Sequence, residues 1–181
     1  VDTTINSLKK ILLIDKNNIE CISKIYKLLL TKSLLDEALA NINLILRIDK
    51  GHYEAIRDKA YIYFLKNNFD KAKKYIDDIS KLEENDFFAY NIKGLIYFKN
   101  SNFHEAKNYF EQAIKINSRY VDSYNNLGIC LLELEKLDEA YTVFKDAHEI
   151  ESDNSKTIVN LGNVLSLQDK VLEAIKIYNK A

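Results

Sequence analysis

Apolar residues recur along this chain at intervals of three and four, broken by short polar stretches. Within 121–154, Tyr124, Leu127, Gly128 and Leu131 fall on one stripe of a 3.6-residue period. Leu137, Ala140, Phe144 and Ala147 form a second stripe. Each stripe predicts an amphipathic helix. Polar triplets such as Lys66-Asn67-Asn68 and Asn100-Ser101-Asn102 predict tight turns between paired helices. Asp36, Asp70 and Asp138 stand where the second helix of a pair should open. A carboxylate there is expected to cap free backbone N–H groups and to suit the positive end of the helix dipole.

The stripes keep a fixed period. Gly94, Gly128 and Gly162 are 34 residues apart, and Ala60 stands one step before them. Ala38, Ala72, Ala106, Ala140 and Ala174 share that step. Ile42, Ile76, Phe110, Phe144 and Tyr178 follow four residues later, and Ile45, Ile79, Ala113, Ala147 and Ala181 make a fourth column. The columns divide the chain into units 19–52, 53–86, 87–120, 121–154 and 155–181, the last truncated in its second helix. Residues 1–18 match the second half of a unit. The expected packing sets Gly94, Gly128 and Gly162 against Ala106, Ala140 and Ala174 where paired helices cross, with Phe110, Phe144 and Tyr178 filling the wider space beyond. No unit buries its apolar face alone, so such units are stable only as a stack.

These columns of small, alanine and aromatic residues resemble the tetratricopeptide repeat, across essentially the whole chain and most closely in 87–120, 121–154 and 155–181. Earlier units depart from the pattern. Tyr26 occupies the small-residue column, and Ile45 and Ile79 replace alanines. The family's proline near each unit's end is replaced by Lys50, Glu84, Ser118 and Ser152. Pentatricopeptide RNA-binding repeats run at 35 residues, and the constant step of 34 argues against them. The resemblance implies an all-α fold, a right-handed superhelix of stacked antiparallel helix pairs (an α-solenoid). It also implies a concave groove, lined by first helices, that holds a peptide or a helix of a protein partner.

On the first-helix face turned from the intra-unit stripe, the sequence places Arg57, Tyr61, Phe64, Phe88, Asn91, Leu95, Phe98, Asn125, Ile129, Leu132 and Asn163. The apolar members predict a ligand with apolar anchors. Phe64, Phe98 and Leu132 have a competing reading as packing against the neighbouring unit. Asn126 and Asn160 each precede a Leu-Gly pair. In some members of the resembled family an asparagine there bonds a peptide backbone, and a carboxamide can serve an N–H and a C=O together. Lys24, Asp58 and Ile92 interrupt that ladder in earlier units. A carboxylate clamp, which other members carry, is a poor match. Its best register retains Asn126 and Lys156 but sets Asn91, Leu95 and Asn160 where other groups are needed.

Lys+Arg 26 against Asp+Glu 27 leaves a net charge of −1, which disfavours a nucleic-acid partner. Cys21 and Cys130 lack CxxC neighbours and read as buried thiols of a reducing, cytoplasmic compartment. No phosphate loop, nucleophile elbow or His-Glu-x-x-His is present, so neither a catalytic nor a metal site nor a cofactor is expected. His52, His104 and His148 fall at different phases of the repeat and read as surface or turn residues. No apolar run is long enough to span a membrane, and no signal peptide is visible. The chain starts and stops inside second helices without polar capping helices. That predicts an internal part of a longer array, with a tendency to stack end to end. Three functions follow in order: a protein-binding scaffold or adaptor, an arm presenting substrates to an enzyme domain elsewhere in the same protein, and a helical-repeat RNA binder.

Overall fold

A computed structural model describes residues 2–82 and 85–179. Glu84 and Ala181 lie outside the described residues. Every regular element among the described residues is an α-helix. Helix α1 (Asp2–Ile14) is followed by five helix pairs. The first helices are α2 (Ile19–Thr31), α4 (Tyr53–Leu65), α6 (Phe87–Lys99), α8 (Val121–Glu133) and α10 (Ser155–Leu167). Their partners are α3 (Leu35–Ile48), α5 (Phe69–Leu82), α7 (Phe103–Ile116), α9 (Leu137–Ile150) and α11 (Val171–Tyr178).

Each pair is joined by the same turn. Ser33, Asn67, Ser101, Glu135 and Asp169 all have φ between 55° and 60°, so one left-handed residue ends each first helix. The carbonyls freed at that end are taken up by the turn itself. Glu135 N–H donates to the Leu132 carbonyl at 3.0 Å and Lys136 N–H to that of Leu131 at 2.9 Å, the Schellman arrangement. This turn corrects the expected caps. The second helices start before their aspartates, at cap residues Leu34 and Lys136, neither of which makes a side-chain cap bond. At α5 the cap is Asn68, whose Oδ1 accepts from Lys71 N–H at 3.2 Å. Asp36, Asp70 and Asp138 lie inside the first turn, where they suit the helix dipole but are not the cap residues.

First helices are capped more fully. Asn18 accepts from Cys21 N–H at 2.9 Å and His52 Nδ1 from Ala55 N–H at 3.3 Å. Asp86 accepts from Phe88 N–H at 2.8 Å and Asn154 from Thr157 N–H at 3.2 Å. His52 is thus a turn residue and His104 is exposed, whereas His148 is half-buried within α9.

The chain divides into two units, 1–84 and 85–181. In the first, Ile22, Ile25, Tyr26, Ala38, Ile42 and Ile45 form a core with Ile5 of α1. In the second, the core runs through Ala106, Phe110, Leu127, Leu131, Ala140, Phe144, Leu161 and Leu165. Here α8 packs against both α6 and α10, so successive first helices touch.

Gly94, Gly128 and Gly162 lie in helices, as expected, but their neighbours differ from the expectation. A Cβ at Gly94 would fall 2.7 Å from Phe110 Cδ1, and Cβ atoms at Gly128 and Gly162 would overlap the rings of Phe144 and Tyr178. The aromatic ring itself occupies the space of the missing side chain, and the alanines are not the nearest neighbours. Size is traded across the pair: glycine meets an aromatic ring, while the equivalent earlier column pairs Ala60 with Ile76, both fully buried.

Candidate functional site

Polar residues at the seams between first helices decide what the face beside them can offer. In 85–181, Asn91 is 3% exposed and Asn125 4%, so both are buried between first helices, contrary to their expected place on an open face. The fully buried Ser123 donates from its hydroxyl to Asn91 Oδ1 at 3.1 Å, and Asn126 Nδ2 donates to the same oxygen at 3.0 Å. One repeat further on, Asn125 Nδ2 donates to Thr157 Oγ1 at 2.9 Å, and Asn160 Nδ2 donates to Asn125 Oδ1 at 3.2 Å. The same polar positions are therefore bridged twice, 34 residues apart. Buried carboxamides are tolerated here because they are bonded to one another.

Asn126 and Asn160 each reach back to the preceding first helix of the same chain. Each is half-buried, with its Nδ2 committed inward and no partner for its Oδ1 among the described residues. Neither oxygen is among the buried unpartnered atoms, so both meet solvent.

Beside this seam lies a depression of about 420 Å³, lined by Asp122, Asn125, Asn126, Ile129, Ser155, Lys156, Val159 and Asn160. Ile129 is 37% and Val159 45% exposed, so two aliphatic side chains of adjacent helices remain open to a ligand. The charged residues lining it, Lys156 and Asp122, pair at 3.7 Å.

The other expected groove residues are placed as follows. Phe98 packs edge-on against Phe103 of α7 with centroids 5.3 Å apart, and Phe64 lies 6.0 Å from Phe69 of α5. Both aromatics thus pack within their own helix pair, with Phe64 buried and Phe98 half-buried. Leu95 and Leu132 are half-buried against the core of 85–181. Tyr61 stacks on Phe64 at 6.4 Å, and Phe88 is half-buried. Asn163 is exposed and accepts from the Tyr178 hydroxyl at 2.7 Å, which ties α10 to α11.

In 1–84 the equivalent seam carries different chemistry. Tyr26, fully buried in the small-residue column, donates its hydroxyl to Asp58 Oδ2 at 2.9 Å. Arg57, an expected groove residue, sets Nε and Nη2 on Asp58 Oδ1, each at 3.0 Å. Burial and the Asp58 charge both push the Tyr26 phenol upward. Burial is the largest single influence on the Arg57 guanidinium and lowers it, but Asp58, Glu54 and Tyr53 together outweigh burial and leave that group raised. A second depression, of about 560 Å³, includes Glu20, Lys24, Lys27, Asp49, His52 and Glu54 in its lining, and four of these charges pair: Lys24–Glu20 at 2.7 Å and Lys27–Glu54 at 3.1 Å.

Cys21 and Cys130 are free and buried. Burial, more than any neighbouring charge, pushes the Cys130 thiol up to about 11. Among the described residues no group of three or more His, Cys, Asp or Glu could hold a metal ion. No helix among them is long and apolar enough to cross a membrane.

Sequence models described as the tetratricopeptide repeat match residues 58–86, 87–120 and 109–142. No curated protein matches the sequence. Several solved structures share the fold. A tetratricopeptide repeat protein from Parabacteroides merdae is 18% identical with a TM-score of 0.82, over 97% of this chain and 69% of that one. Yeast Tom70 is 16% identical with a TM-score of 0.79, over 97% of this chain and 38% of its own. YrrB, described as a protein of this repeat class with an unusual peptide-binding site, is 20% identical with a TM-score of 0.58, over 96% and 89%.

Proposed function

Because the chain belongs to the tetratricopeptide repeat family, we propose that it is a protein-binding scaffold or adaptor whose α8–α10 groove holds a peptide segment of its partner. The observation that carries this reading is the pairing of exposed aliphatic and amide groups on adjacent first helices. Ile129 and Val159 offer an apolar seat, flanked by Asn126 and Asn160 with a solvent-facing acceptor oxygen each. Such a seat suits a segment with one apolar anchor and a backbone to be bonded beside it. The peptide-binding description of YrrB is consistent with this, although its likeness to the present chain is one of fold.

The proposal narrows the expected contact surface. Within 85–181, Asn126, Ile129, Val159 and Asn160 are contact residues. Asn91 and Asn125 support them from beneath, while Phe98 and Leu132 contribute through packing. The test is a peptide selected against the full chain from a random linear library, with binding measured after nuclease treatment. Ile129→Ser with Val159→Ser should weaken binding at least tenfold while leaving the helical circular-dichroism signal nearly unchanged. Unchanged affinity would remove the α8–α10 groove as the site.

A further inference from the structure

Helices α9 and α11 both pack on α10 but do not touch one another, which leaves a cleft of about 620 Å³ between them. Leu161 and Leu165 of α10 floor it, and Tyr141 and Ile177 stand at its sides. At about 100° per residue these leucines lie across α10 from Lys156 and Val159, so the cleft faces away from the α8–α10 groove. The two depressions share no lining residue.

Elsewhere in the chain the same repeat positions carry aromatic rings. Two and three steps of 34 residues before Leu165 and Ile177 stand Tyr97 with Tyr109 and Tyr63 with Tyr75. Tyr97 stacks on Tyr109 with centroids 5.1 Å apart, and Tyr63 on Tyr75 at 5.6 Å. Lys59 Nζ lies 4.6 Å above the Tyr75 ring. In the first repeat Leu29 and Asn41 replace the tyrosines, and a depression of about 270 Å³ is left there as well. Lys9 and Glu37 line it, at the repeat positions of Lys145 and Glu173 in the α9–α11 cleft. In 121–154 Leu131 and Val143 hold the tyrosine positions, but Ile114 replaces His148 and packs against the core.

We propose that the α9–α11 cleft is a second binding site, which takes an aromatic side chain of an acidic partner segment where a tyrosine pair stands in other repeats. A ring laid on the leucine floor beside a lysine gains burial and cation–π attraction together, as Tyr75 does beneath Lys59. The lining charges set the sign of the partner. Lys145 and Lys176 stand against Glu173, and Lys176 has no ion-pair partner among the described residues, whereas Lys145 meets Glu149 at 3.6 Å. Both lysines are exposed, so a carboxylate beside the ring adds the smaller share of affinity. The site is independent of the α8–α10 groove, since it lies on the other side of α10.

The experiment titrates the full chain, methyl-labelled, with acetyl-Asp-Phe-Asp-amide, acetyl-Asp-Ala-Asp-amide and acetyl-Lys-Phe-Lys-amide, following NMR shifts at Leu161, Leu165 and Ile177. The first peptide should bind about tenfold more tightly than the second, through burial of the ring. It should bind about threefold more tightly than the third, through the rim charge. Leu165→Tyr with Ile177→Tyr installs the ring pair of 53–86 and should abolish binding while keeping the helical circular-dichroism signal. Lys176→Glu changes an exposed residue and should bring the two Phe peptides to equal affinity, a second readout if the double variant does not fold. Equal binding of the Phe and Ala peptides, unchanged affinity in the folded double variant, or an undiminished charge preference in Lys176→Glu would overturn the proposal. Shifts confined to Ile129 and Val159 would also overturn it, placing the peptide in the α8–α10 groove and leaving that reading in force. No shift with any of the three peptides would remove the cleft as a site without bearing on the groove.

Discussion

Gly128→Ala separates two opposed effects. By local preference alone, alanine inside helix α8 should stabilise it by about 1 kcal/mol over glycine. Packing demands the opposite. The added Cβ would stand 2.5 Å from Phe144 Cζ and 2.8 Å from Cδ1, against 3.4–4 Å for ordinary contact. Phe144 is fully buried, so its ring cannot swing away without displacing its neighbours. Overpacking of this kind costs roughly 1–3 kcal/mol. Contacts this short with a fixed ring put the cost in the upper part of that range, about 2–3 kcal/mol, so after the propensity gain of about 1 kcal/mol the net loss should be about 1–2 kcal/mol. Urea unfolding followed by circular dichroism reads this as a lower midpoint at constant slope. Adding Phe144→Ile recreates the Ala60–Ile76 combination found in 53–86. In the double variant the alanine should no longer be penalised, giving a coupling energy of at least about 1 kcal/mol. A single variant as stable as the parent, or more stable, would refute the claim that Phe144 fills the glycine's space.

Two further predictions follow from the turns and the core. Glu135→Gly removes a side chain from a left-handed turn residue (φ 58°) and should stabilise the chain by about 1 kcal/mol, seen as a higher urea midpoint. The Cys130 thiol, raised to about 11 and buried, stays protonated at pH 8, so iodoacetamide should modify it only after denaturant is added, as read by mass spectrometry.

The repeat was legible in the sequence because its columns are direct records of packing. A glycine tolerated mid-helix every 34 residues needs a ring above it, and Phe110, Phe144 and Tyr178 keep step with Gly94, Gly128 and Gly162. The seams were not legible by the same means. Hydropathy marks Asn91, Asn125 and Thr157 as surface residues, yet each is buried because its partners arrive from a neighbouring first helix, 32 or 35 positions away. Polar pairs recurring at those offsets were the available signal, and Tyr26 with Asp58 shares the first of them. Phe64 and Phe98 point the other way: apolar residues placed on an open face were instead claimed by Phe69 and Phe103 within their own pairs. The aspartate caps failed because a single left-handed residue starts each second helix earlier than the Asp-Glu-Ala phrase suggests.

Where a bound peptide lies decides whether α8 and α10 form the binding surface. The full chain, titrated with a library-selected peptide and mapped by amide NMR, should show its largest shifts on α8 and α10, among Asp122, Asn126, Ile129, Val159 and Asn160. Shifts gathered instead on the second helices α9 and α11, with α8 and α10 unmoved, would contradict it.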